Sequence, residues 1–98
     1  MSDDDFGFAP PPFRPDEALV TLRRALRELG LAERGAGFEL RGKRVLELAV
    51  EDATIRARIA RRFMLTPEWD TQNLKGAADT RKLLDEVKKR LARWERED

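Results

Sequence analysis

The chain has 98 residues, 41% of them apolar and 40% charged, with a formal net charge of +1 and neither cysteine nor histidine. A chain of this length fits one domain whose small core buries roughly 60 to 65% of the unfolded surface, and no apolar run approaches the roughly 18 residues needed to span a membrane. The missing thiols and imidazoles exclude disulfides, thiolate zinc sites, thiol nucleophiles and the usual general base near neutral pH, leaving carboxylates, lysines and hydroxyls for any chemistry.

No cofactor or metal is expected on that inventory. The near-zero net charge supplies no whole-molecule field toward nucleic acid or anionic lipid, so any such role must come from a local patch. Arginine outnumbers lysine fifteen to five, which favours planar, bidentate contacts and equally fits the composition of a bacterial GC-rich genome.

Residues 1–14 read as a disordered tail. Asp3, Asp4 and Asp5 are acidic where an export signal is basic and then apolar, so the expected location is the cytoplasm. Pro10, Pro11 and Pro12 favour an extended chain, and Phe6, Phe8 and Phe13 follow neither helical nor strand spacing. Phe6 and Phe8 are therefore candidate partner contacts rather than core. Residues 15–98 read as a single α+β domain.

A first helix is expected over 15–29. Pro15 suits its first position, Asp16 and Glu17 its first turn, and Gly30 its end. Leu19, Leu22, Leu26 and Leu29 form its apolar stripe, and Leu31 is placed to fold back on the last turn. Residues 33–37 read as a loop.

Apolar residues then recur at two-residue spacing. Phe38 and Leu40 open one strand, and Leu46, Leu48 and Val50 continue the same face after a turn near Gly42. Keeping both sets on one face is incompatible with a plain two-residue hairpin. The expectation is a three- or five-residue loop, or a bulge, between Arg41 and Val45, with Gly42 at positive φ. In the segment after Asp52, Ile55, Ala57, Ile59 and Phe63 alternate as a strand, while Ile55, Ile59 and Phe63 also sit at helical spacing. The strand is the preferred reading, because a lone hairpin is a poor platform for two helices. Its register places Ile55 opposite Val50, Ala57 opposite Leu48 and Arg58 opposite Glu47.

Thr66, Pro67, Glu68 and Trp69 resemble a capped helix start, but the polar residues 70–73 give no stripe, so a short helical turn or irregular edge strand is expected there. A final helix starts near Gly76 or Ala77 and presents Leu83, Leu84, Val87, Leu91 and Trp94 to the core, with Asp85 to Lys89 and Glu86 to Arg90 at favourable spacing. The expected fold is thus α-β-β-β-α, a three-stranded antiparallel meander with both helices on one face; the alternative is α-β-β-α-α.

Arg56, Arg58 and Arg62 would project from the outer side of the third strand, with Lys43 and Arg44 extending the patch from the neighbouring turn. Such a face grips phosphates and stacks on unpaired bases. It is equally a solvated face neutralised by Glu39, Glu47 and Glu51, and no outward residue of these three strands is aromatic. Glu39 and Glu47, facing each other across the first hairpin, would form a carboxylate pair for acid and base work. Trp69, in a polar segment beside a proline, is a candidate partner contact. These features order the readings: a non-enzymatic protein-interaction or regulatory module with an unknown or identical partner, then a nucleic-acid-binding module, then a carboxylate-based enzyme.

Overall fold

In the computed structural model, residues 12–96 are described; the expected tail contacts Phe6 and Phe8 lie outside the described residues. Helix α1 (Pro15–Glu28) begins with Pro15 and carries Asp16 and Glu17 in its first turn. It ends in a paired closure: Gly30 N–H donates to the Arg27 carbonyl at 2.9 Å and Leu31 N–H to the Leu26 carbonyl at 3.2 Å. Gly30 sits at φ 97, a conformation that disfavours any side chain. Leu31 is thereby turned back into the core, as its spacing predicts.

Five strands follow, β1 (Ala32–Arg34), β2 (Gly37–Leu40), β3 (Lys43–Glu51), β4 (Thr54–Ala60) and β5 (Trp69–Leu74), and then helix α2 (Ala77–Trp94). All pair antiparallel in chain order, so the sheet is a meander. Helix α1 packs on β1, β3 and β4, and α2 on β5 and on α1. Leu22, Leu26, Leu83, Val87, Leu91 and Trp94 from the helices share one core with Phe38, Leu46, Leu48, Ile55, Ile59 and Leu74 from the sheet. Phe13, ahead of α1, also packs on this core. Trp94 is fully buried, and its Nε1 has no hydrogen-bond partner among the described residues.

The α+β class stands, but the expected three strands are five. Residues 33–37 are not a simple loop: β1 occupies Ala32–Arg34 and turns back through Gly35 at φ 58. Three residues are too few for a period of two to be seen. The segment at Trp69 is a regular strand rather than a helical turn or an irregular edge. Its core-side positions Asp70 and Gln72 are polar, which hides the alternation. Asp70 is held there by Arg90 of α2 at 2.9 Å and Arg61 at 2.7 Å.

The parity conflict between β2 and β3 is resolved by a bulge. The connection is only Arg41-Gly42, both at positive φ (52 and 82), the pairing of dihedrals that suits a tight hairpin. Leu40 pairs with Lys43 and Glu39 with Arg44, yet Phe38 pairs with Leu46, leaving Val45 as the extra residue. That inserted residue returns Leu46 and Leu48 to the side of Phe38, with Val45 itself buried. The strand reading after Asp52 holds, with Val50 opposite Ile55, Leu48 opposite Ala57 and Glu47 opposite Arg58.

Candidate binding face on the helix-free side of the sheet

Alternation fixes what the uncovered side of the sheet displays. Ile55, Ala57 and Ile59 of β4 are buried under the helices, so Arg56 and Arg58 point the other way. The same parity puts Glu47, Ala49 and Glu51 of β3 on that side, together with Trp69, Thr71 and Asn73 of β5. Trp69, a candidate partner contact in the sequence, was not expected on this face. Leu74 is buried opposite Ile55, and an odd offset of five residues from Leu74 sends Trp69 to the outer side. That count is the signal that could have found it.

Arg58 is the centre of this face. Its guanidinium lies 5.0 Å from the Trp69 ring centroid and 3.1 Å from Glu47 Oε1. Glu47 also accepts from Arg44 Nη1 at 3.4 Å, while Arg56 pairs with Glu51 at 3.1 Å and Arg34 with Glu39 at 3.6 Å. Arg44 lies across Gly37, where a β-carbon would meet its guanidinium, and reaches the Arg34 carbonyl at 3.2 Å. A shallow depression of about 200 Å³ opens among Ala36, Arg44, Glu47, Ala49, Arg56 and Arg58. Counted together, four arginines meet three glutamates. The face is a lattice of alternating charge with a half-buried tryptophan at one side, not a continuous cationic surface.

The remaining candidates separate from it. Lys43 turns to the helix side, its ammonium 4.5 Å from the Phe63 ring centroid, where Arg41 also stacks at 4.6 Å. Arg62 does not extend the strand's outer row, because β4 ends at Ala60 and Arg62 is exposed in the bend that follows. Arg61 instead joins Asp70 and Glu68. Glu39 and Glu47 do not face each other: Glu47 is opposite Gly37 and Glu39 opposite Arg44. The bulge at Val45 shifts that register, so the expected carboxylate pair is not formed and each acid is bound to arginine.

On the helix side, an apolar groove of about 580 Å³ lies between the starts of the two helices, lined by Phe13, Ala18, Leu22, Ala77 and Leu84 among others. Among the described residues there is no group of three or more acidic, His or Cys residues able to hold a metal ion, and no helix long and apolar enough to cross a membrane. Compared with protein-family models, curated proteins and solved structures, the chain matches none.

Proposed function

We propose that this is a protein-interaction module that binds through the helix-free face of its sheet. The observation that carries the reading is Trp69 stacked on Arg58 within a lattice of paired charges. Tryptophan and arginine are the residue types that dominate interface energetics, and a ring of ion pairs around them supplies register and specificity more than affinity. One face of the sheet is used for folding; the other offers an aromatic anchor, a shallow depression and charges of both signs. A protein surface with its own mixed charges suits such a face better than a polyanion does.

The test is quantitative capture of binding proteins with the unmodified chain, a Trp69→Ala and Arg58→Ala double variant, and a Lys88→Ala and Lys89→Ala control on exposed positions of α2. A protein retained by the first and third and lost by the second supports the reading. Equal retention by all three contradicts it.

Nucleic acid is the second reading, favoured by the same stack, since a tryptophan beside arginines is what a single-strand platform needs. Against it stands the charge balance of the face. Titration of labelled single- and double-stranded oligonucleotides at low salt decides: binding lost on changing Arg56 and Arg58 to Glu, and falling with salt, favours this reading. The carboxylate-enzyme reading remains third, with no acid pair to support it.

A further inference from the structure

The sheet has two edges of different kinds. At one, β1 is only three residues long, a short edge of the sort that resists further pairing. At the other, β5 is six residues, continuous and without proline, lysine or a bulge inside it. Long regular edges are usually blocked by one of those devices or by an inward-pointing charge; the inward charge of β5, Asp70, is taken up within the chain by Arg61 and Arg90.

Hydrogen-bond phase shows which groups of β5 are free. Arg61 N–H donates to the Glu68 carbonyl at 3.0 Å, which makes that pair a bonded one. Bonded pairs recur at every second position of an antiparallel ladder, so Asp70, Gln72 and Leu74 direct their backbone groups at β4. Trp69, Thr71 and Asn73 direct theirs outward. Among the described residues, no backbone bond joins those outward groups to another segment. The free row is bounded at both ends. Pro67, in the same phase, has no N–H to offer, and Lys75 N–H is taken by Asp79 Oδ2 at 2.9 Å.

What remains is a row of three outward residues symmetric about Thr71. We infer that two copies of the chain pair antiparallel along β5 about a two-fold axis at Thr71, joining their sheets into one. In that register Trp69 of each copy lies opposite Asn73 of the other and Thr71 opposite Thr71. All three outward residues of each strand then exchange both backbone bonds. On the helix side Asp70 meets Gln72 and never itself. The register two residues in one direction sets Asn73 against Pro67, which has no N–H to return; the register two residues in the other sets Trp69 against Lys75, whose N–H is already taken by Asp79. Because β1 is too short to pair in the same way, association stops at two copies. The inference does not depend on what the open face binds, but it would bring two Trp69–Arg58 stacks onto one continuous surface.

The absence of cysteine from the chain makes the test clean. Thr71 and Asn73 are both exposed, so Thr71→Cys and Asn73→Cys are each carried on the full chain and oxidised. Across the axis, Thr71 meets its own copy at about 5.5 Å between α-carbons, within disulfide reach. The two copies of Asn73 are offset by four residues, about 13 Å along the strands, and are out of reach. Expected are a rapid disulfide-linked dimer from Thr71→Cys, little from Asn73→Cys, and sedimentation of the unsubstituted chain at twice its 11.3 kDa mass. Equal crosslinking at both positions, none at Thr71→Cys, or an unsubstituted chain that sediments as a monomer at every concentration would overturn the inference. Loss of the oligonucleotide or protein binding proposed above would leave it standing.

Discussion

Asp70 is where the polar framework of the helix side converges. Its carboxylate accepts from Arg61 Nε at 2.7 Å and Arg90 Nη2 at 2.9 Å, and these hydrogen bonds, that from Arg61 first, hold its pKa below the ordinary 3.8. A carboxylate with a depressed folded-state pKa adds stability that is complete above the unfolded value and is lost as pH falls through the folded one. The contribution of Asp70 is therefore full near neutral pH and fades below 3.8. Denaturant unfolding across that acid range should show a shallower pH dependence for Asp70→Asn than for the unsubstituted chain. An identical slope would mean the arginines gain nothing from the charge. Arg90 is the strut of the same cluster: it donates to Asp70, to Glu86 at 2.7 Å and to the Ala60 carbonyl at 2.8 Å, with its side chain only 13% exposed. Arg90→Ala should cost about 1 to 3 kcal/mol in urea unfolding, since it leaves Glu86 and the Ala60 carbonyl without that donor and Asp70 with Arg61 alone at the junction of α2 and the sheet. Arg90→Lys should recover little, because one ammonium cannot reproduce a planar fork aimed at three partners.

Two glycines allow a controlled test of how the elements are punctuated. Neither Gly30 nor Gly76 would bring an added β-carbon within 4 Å of another group. They differ in backbone: Gly30 has φ 97 at the end of α1, whereas Gly76 is extended at φ −171 ahead of α2. Gly30→Ala should lower stability by about 1 to 2 kcal/mol in thermal or urea unfolding, and Gly76→Ala, which only trades a glycine for a poorer cap at the start of α2, by about 0.5 kcal/mol. Punctuation and apolar period together decide what the sequence makes legible. Both helices, their stripes and the β3–β4 register were readable because their apolar periods are long and their ends carry proline, acidic residues or glycine. Strand β5 was not, because the residues it turns toward the core are Asp70 and Gln72, and an ion pair with a helix twenty residues away leaves no mark in local periodicity. Strand β1 was too short to show a period. On the outer face the Arg58–Glu47 pair followed directly from register, whereas Trp69 joined it only through β5, and Lys43 and Arg62 left the patch because of a bulge and a strand end.

For the whole molecule, the two sides of the sheet differ in what they carry. Helices cover one, and the other carries charges balanced to within a single arginine around a tryptophan. We propose that this uncovered side meets another protein. The most direct measurement is photo-crosslinking in the producing cell with a photoreactive residue at Arg56, exposed at the middle of β4, and separately at Lys88, exposed on the outside of α2. Products at twice 11.3 kDa would report the paired chain and are set aside. Expected is a discrete heavier adduct from position 56 that is absent from position 88 and disappears when Trp69→Ala is added. No adduct at position 56, or the same adducts from both positions, would contradict it.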